Sequence, residues 1–500
     1  MIKKSRLWAW ALLALLAIIP RLPWLALPLE NDSGANAFLA RHILRGEHLY
    51  DGFHTGHHLP GIYYTFALAF KLFGDNPQAP KILLFFFVAA TCWIIYRIGR
   101  EHLDDELSGI LGAVFYALVS SQELFSGTTA AIEHFANLPI TISIFLLLYS
   151  LKKNSPTSTF FWAGIFSSIA ILFKIIYAAP LATAGIMLLA KAWTERGQSG
   201  AKKALFLGIA ATALGFILPL ALVGGYFASL GLWDRLMLVF TLGFSYFSSP
   251  ELPDLVLLLR PFGFPLFITA VNNAALLVFG LIGTYRLTRS ALPLKGAKNL
   301  VALTLVIWLI LSFASTGIRG GGYEHYVLIV LPPLALIAGF EISSARLRLQ
   351  ATTSPKSATI VAGGMTALIV LLFLTANMKL YTQYFQYLTG STNDTKNPFI
   401  TLNQQKPAEY IKSHTQPEEY IYLWGNNVQL YYYADRNPPI DILWPDYVSA
   451  TGGPERIFNE NTKYIIVDPE LPVPQWLSAG LTNQYTLETV VSGWDFYKRK

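Results

Sequence analysis

The sequence is poor in cysteine and poor in charge. Cys92, inside an apolar run, is the only cysteine among 500 residues, so an intrachain disulfide is excluded. Neither a thiolate metal site nor a thiol catalyst has support, and Cys92 reads as a buried structural thiol. Charged residues make up 13% of the chain and hydrophobic residues 53%, against roughly 25% charged in ordinary globular domains. Mean hydropathy is +0.44. A chain of this balance cannot clothe a water-soluble surface. What is present instead is a series of apolar runs of about 17–25 residues, the length that crosses a bilayer as a helix.

These runs lie near 7–28, 80–98, 107–123, 135–151, 159–174, 176–192, 204–228, 262–285, 299–315, 324–342 and 358–377. They predict an α-helical polytopic membrane protein of about eleven spans. The first run follows Lys3, Lys4 and Arg6 but lacks a small-x-small cleavage site, so it reads as an uncleaved first span with a cytoplasmic N-terminus. The net charge of +7 does not mark a nucleic-acid binder. The cations sit in short segments between runs, among them Arg97, Arg100, Lys152, Lys153, Lys202, Lys203, Arg286 and Arg289, as cytoplasmic loops require. An odd number of spans then leaves the C-terminus outside.

From about residue 380 the chain turns polar, aromatic and proline-rich. "KPAEYIKSH" reads as a helix, and "EYIYLW" and "KYIIVDP" read as strands. The expected organisation is a membrane domain over 1–378, with an outer loop at 29–79, and a small extracytoplasmic α/β domain over 379–500. The segment 231–247 suits an amphipathic helix in the outer interface. Trp424 and Tyr431 to Tyr433 read as core or rim of the outer domain, with sugar stacking as the other reading.

Ionisable chemistry concentrates in one stretch, "ENDSGANAFLARHILRGEHLYDGFHTGHHLPGIYY". Glu30 to Tyr64 holds five of the nine histidines and four acidic residues. At the end of a span, charges are costly unless paired or functional. Asp32 either caps the helix "SGANAFLARHIL" or is a functional carboxylate, and both readings stand on the residues alone. His54, His57, His58, Asp51 and His325 are donors suited to a divalent ion. No HExxH-type spacing accompanies them, and hydrogen-bonding histidines are the plainer reading.

The stretch from Asn31 to Gly74 resembles the first outer loop of the polyprenyl-phosphate-sugar-dependent glycosyltransferases. That superfamily includes protein O-mannosyltransferases and aminoarabinose transferases and has the C-type glycosyltransferase fold. Asp32, Gly46, Tyr50, Asp51, His57, Pro60, Tyr63 and Gly74 fill the places of its pattern. Where many relatives have an acidic pair and a His-Lys-Pro-Pro run, this chain has Asp32-Ser33 and His57-His58-Leu59-Pro60, so a role carried by that lysine does not transfer. "GTTAAIEHFANLPITISIFLLL" is similar to the second outer loop, with Glu133 at its acidic place. "GGGYEHYVLIVLPPLALIAG" is similar to a late His-Tyr…Leu-Pro-Pro signature and gives Tyr323, His325 and Tyr326.

The resemblance implies inverting transfer of a sugar from a polyprenyl phosphate to an acceptor hydroxyl on a protein, lipid A or another glycan. Asp32 is the implied general base and Glu133 a second carboxylate. Arg319 and Arg260 are cations suited to the leaving phosphate; Lys174 is a third, explained as well by snorkelling to headgroups. His57, His58, Tyr63, His325 and Tyr326 are implied substrate contacts. The expected partners are the lipid-linked donor, its acceptor and membrane lipids, with no nucleic acid; a divalent ion is the one cofactor considered. The expected location is a bacterial inner membrane. A transporter or flippase of lipid-linked sugars is the competing class, but the chain lacks the paired broken helices of inverted-repeat carriers. A metal-dependent hydrolase in the outer loop is the third.

Overall fold

The computed structural model describes residues 4–52, 58–152, 157–197, 200–245, 254–294, 296–317, 323–391, 397–399, 405–441, 443–445, 448, 453–459 and 461–500; side chains at 4–9, 152, 179–180, 242–245, 254–261 and 459 lie outside that description. In chain order the helices are α1 (Lys4–Ile18), α2 (Asn31–Leu44), α3 (Gly61–Phe73), α4 (Ala79–His102), α5 (Glu106–Val119), α6 (Ile132–Lys152), α7 (Thr157–Phe173), α8 (Ala179–Thr194), α9 (Ala201–Ser229), α10 (Trp233–Ser245), α11 (Asp254–Ala291), α12 (Ala297–Gly317), α13 (Leu331–Gln350) and α14 (Pro355–Thr389). Then come α15 (Gln405–His414), β1 (Tyr420–Trp424), α16 (Gln429–Ala434), α17 (Glu455–Asn459), β2 (Thr462–Val467), α18 (Gln475–Gln484), β3 (Tyr485–Val491) and β4 (Trp494–Arg499).

Two compact units are present. The first gathers Met1–Trp24, Leu83–Tyr226 and Phe244–Tyr381; the second gathers Leu25–Ile82, Phe227–Gly243 and Thr382–Lys500. Seven described helices are long and apolar enough to cross a membrane, or eight if Trp10–Ala26 with Asn31–Leu44 is one broken span. The expected eleven is therefore not reached on length and composition. Two of the missing spans are the apolar but shorter helices α5 and α7. A third, α13, carries Glu341, Arg346 and Arg348 within its twenty residues.

Small residues set the packing of the first unit. On α13 and α5, a Cβ added at Gly339 would stand 2.7 Å from both Gly112 N and Ser108 O. The two backbones therefore touch where only glycine fits, the usual way helices approach closely in lipid. Ser143 on α6 donates to Ala163 O of α7 at 2.9 Å and pairs with Ser167 at 2.8 Å. α11 breaks at Asn273 (φ −155°, ψ 78°), whose amide donates to Ile369 O at 3.0 Å and accepts from Leu276 N–H at 3.1 Å. The side chain thus replaces backbone bonds that the kink removes. After α1, a 3-10 segment over Ile19–Ala26 carries Arg21, which is buried. Its guanidinium donates to Ala117 O at 2.8 Å and Ser120 Oγ at 2.6 Å, capping the carbonyl end of α5, where a cation is favoured.

The second unit contains a four-stranded sheet in the order β1-β2-β4-β3. β1 and β2 are parallel, and β4 pairs antiparallel with both β2 and β3. The expected helix and two strands appear as α15, β1 and β2. Ile421, Tyr422 and Leu423 are all buried, the continuous burial of a parallel strand covered on both faces. β3 is the exposed edge. There Glu488 accepts from Lys498 Nζ at 2.6 Å, from Tyr410 OH at 2.9 Å and from Tyr464 OH. Desolvation pushes the Glu488 carboxyl up, but these three donors outweigh it and hold the group at about 2.

Gly339→Val should lower the melting temperature of the purified protein, since overpacking a helix contact costs about 1–3 kcal/mol; an unchanged melt would mean α5 and α13 can part freely. Because the Glu488 carboxyl is depressed on folding, its contribution is present above the ordinary glutamate value and lost as pH falls toward about 2. Hydrogen exchange at 485–499 should therefore accelerate on acidification, with a smaller acid response in Glu488→Gln.

Candidate active site

In the second unit, Leu25–Glu30 leads into α2. The helix begins on Glu30, whose backbone is extended (φ −79°, ψ −179°) and whose Oε1 accepts from Ser33 N–H at 3.1 Å and Ser33 Oγ at 2.7 Å. Glu30 is the N-cap. The reading of Asp32 as the cap is overturned, because the donor that a cap must satisfy is already taken. Asp32 sits in the first turn, partly exposed, with no hydrogen-bond or ion-pair partner among the described residues.

Tyr50 and Tyr63 flank the histidine segment. Tyr50 OH donates to His58 O at 2.8 Å, and His58 N–H donates to Tyr63 OH at 3.0 Å. Tyr63 is 1% exposed, so its hydroxyl holds the backbone of His58. His54 and His57 lie outside the described residues. Asp51 is exposed. Among the described residues no group of three or more His, Cys, Asp or Glu side chains could hold a metal ion.

α2 is riveted along its length to α16. Arg41 donates to Asp75 at 2.6 Å and to Tyr432 O at 2.8 Å, with its guanidinium 4.1 Å from the Tyr432 ring centre. Arg45 meets Asp435 at 2.9 Å. Gly34 lies against the backbone and Cβ of Gln429, so a side chain at 34 would collide with α16. Tyr431 and Tyr432 are buried. The hydroxyls of Tyr431 and Tyr433 accept from Leu423 N–H and Leu29 N–H, and that of Tyr432 donates to Asp75. Tyr431 and Tyr432 are core and half-buried Tyr433 lies at the rim, each with its hydroxyl committed to the protein. Half-buried Trp424 donates its indole N–H to Pro472 O at 3.2 Å. The expected interfacial helix is α10; its Arg235 meets Asp441 at 2.9 Å, and Arg456 meets the same carboxylate at 2.6 Å.

In the first unit four residues read separately in the sequence converge. Glu133, in the first turn of α6, is 1% exposed. Lys174 falls in the break between α7 and the 3-10 turn Ile175–Ala178. That break lets its ammonium donate to Glu133 Oε1 at 2.7 Å while standing 4.1 Å from the centre of the Tyr326 ring. His325 Nε2 is 3.9 Å from the same carboxylate oxygen, and its ring meets Tyr326 edge-on at 4.7 Å. The snorkelling reading of Lys174 is thereby corrected, because the side chain is buried against a counter-charge. Arg319 lies outside the described residues, as does the side chain of Arg260.

Two residues escaped sequence reasoning. Glu30 was one of four consecutive polar residues, and nothing local ranks it above Asp32 as a cap. Lys81, in the first turn of α4, resembles any cation at the end of an apolar run, yet it is 3% exposed.

A model of the dolichyl-phosphate-mannose-protein mannosyltransferase family matches residues 57–222. No curated protein matches the sequence. Solved structures do. ArnT from Cupriavidus metallidurans bound to undecaprenyl phosphate is 12% identical with a TM-score of 0.59, over 99% of this chain and 98% of that one. Its apo form gives 13% and 0.61, with the same coverage. The archaeal oligosaccharyltransferase AglB from Archaeoglobus fulgidus, in complex with an inhibitory peptide and a dolichol-phosphate, gives 13% and 0.56, over 99% of this chain and 74% of that one. The chain is a polytopic helical membrane protein with the C-type glycosyltransferase fold and a small C-terminal sheet domain. The resemblance is to the polyprenyl-phosphate-dependent glycosyltransferases.

Breaking a buried ion pair by removing one partner costs about 3–5 kcal/mol. Glu133→Ala and Lys174→Ala should each lower the melting temperature sharply, and the double variant should cost less than the sum of the two. Additive losses would mean the pair is not coupled.

Proposed function

We propose that the protein is an inverting glycosyltransferase that moves a sugar from a polyprenyl phosphate to an acceptor hydroxyl at the outer membrane face. The observation that carries this reading is the division of labour at the start of α2. Glu30 caps the helix, and the Asp32 carboxylate beside it is left without a hydrogen-bond or ion-pair partner among the described residues. A partly exposed carboxylate can take the proton of an alcohol as the new bond forms. As the acceptor oxygen bonds to the anomeric carbon, Asp32 takes its proton; the bond from that carbon to the phosphate oxygen breaks, and lipid phosphate departs with the electron pair. The leaving group is already a weak base, so no general acid is required.

Arg319 and Arg260 are assigned to the phosphate charge that develops. Glu133 is assigned to holding Lys174, which fits its buried pairing better than a role as a second base. His325 and Tyr326 are assigned to sugar or phosphate contacts, and His57 and His58 to the acceptor side, with Tyr63 shaping the loop beneath them. The candidates for holding a divalent ion are Asp51, His54, His57 and His325. The assigned topology has a cytoplasmic N-terminus, a membrane domain over 1–378 and an extracytoplasmic domain over 379–500, in a bacterial inner membrane. The acceptor is a hydroxyl of a protein, lipid A or glycan.

Incubation with a panel of isoprenoid-phosphate sugars should release lipid phosphate. Asp32→Asn should lower that turnover by about 10²–10⁴, the usual contribution of a positioned base, while leaving donor binding intact. Undiminished turnover would remove Asp32 from the reaction.

A further inference from the structure

Lys81 breaks two rules at once. It is buried in the second unit at 3% exposure, and burying an ammonium is costly unless it is paired. It also lies in the first turn of α4, the helix end at which the macrodipole disfavours a cation. The Leu27–Glu30 segment grips it. Its Nζ donates to Leu27 O at 2.8 Å and Pro28 O at 3.3 Å, and the Glu30 carboxylate attracts it. The same segment is fastened from its other side, where Leu29 N–H donates to Tyr433 OH at 2.8 Å. Pro28 has no N–H of its own, and an irregular segment with no ladder must find partners for its carbonyls elsewhere.

The fastening continues into α2. Glu30, whose position follows from that segment, accepts Gly34 N–H on its carbonyl at 2.7 Å and Ser33 N–H on its side chain. Asp32 lies between those contacts. The direction in which its carboxylate leaves the helix is therefore set by the first turn, and the first turn by the strap that Lys81 grips.

We propose that Lys81 is a positioning residue for Asp32, acting through the Leu27–Glu30 strap and the Glu30 cap. This rests on the reading of Asp32 as the base. Lys81 touches no reacting atom; it removes the freedom of the turn that carries one. Arginine at 81 can still donate to both carbonyls, whereas methionine fills similar volume and donates to neither.

The test compares Lys81→Met, Lys81→Arg, Glu30→Gln and Asp32→Asn in the full-length protein in lipid nanodiscs. One readout is hydrogen exchange over residues 31–36. The other is steady-state release of lipid phosphate from whichever isoprenoid-phosphate sugar of the panel the unsubstituted protein accepts. Lys81→Met should speed exchange in the first turn of α2 by about ten-fold, the worth of a lost buried hydrogen bond, without changing exchange in β2 and β4. It should lower kcat by about 10²-fold, the scale of a misplacement of about 1 Å, with the donor KM within about two-fold because binding is not what it supplies. Lys81→Arg should restore most of both. Should Lys81→Met fail to fold, Glu30→Gln keeps an acceptor for Ser33 but drops the charge facing Lys81, and it should loosen the same turn. Unchanged exchange in that turn overturns the proposal, as does a loosened turn with normal kcat. An active Asp32→Asn protein overturns the reading of Asp32 itself, whatever the exchange shows.

Discussion

A cation removed from water must be met by a counter-charge or by carbonyl oxygens, or the fold loses several kcal/mol. The arrangement of this protein depends on how it meets that requirement. In the first unit Lys174 is answered by Glu133 and by the face of Tyr326, and Arg21 by the carbonyl end of α5. In the second, Lys81 is answered by the carbonyls of an irregular strap. Each answer ties a loop or a helix break to a regular element. The ion contacts therefore sit where the backbone departs from the helix, and Arg21 and Lys81 there supply donors to carbonyls that the departure leaves open.

The same requirement explains why neighbouring carboxylates have different duties. Glu30 is spent on a cap and Glu133 on an ammonium. Asp32, two residues from the cap, is spent on nothing among the described residues. Chemical availability here is decided by what each group already satisfies, and the residue type alone does not disclose it. Within the second unit, α16 then steadies α2 through the Arg41, Asp75 and Tyr432 contacts. A reactive group on a regular, buttressed helix is held more narrowly than one on a free loop.

Much of this was legible in the sequence because it is periodic or local. The long apolar runs, the helix at "KPAEYIKSH" and the strands on either side of "GNNVQLYYYAD" follow from patterns a few residues long. The span count rests on less, since α5 and α7 are short and α13 carries three charges, so length and composition alone do not mark them as spans. The identity of the cap was not legible, because any residue from Glu30 to Ser33 offers an acceptor and only the backbone at Glu30 chooses. The pairing of Lys174 with Glu133, 41 residues away, and of Arg41 with Asp435, 394 away, leaves no local trace. The late "YEHY" motif suggested a site; that it joins the Lys174 ion pair is a matter of tertiary geometry.

One consequence concerns the order of assembly. α2 is made within the first fifty residues, yet it belongs to a unit that includes Thr382–Lys500, and Gly34 has no backbone to press against until Gln429 exists. The helix bearing the proposed base must therefore wait, unsupported on one side, while the intervening membrane segments are synthesised. Such distant closure makes maturation slow relative to local helix formation. It also makes a change in α16 felt at the opposite end of the chain, in α2.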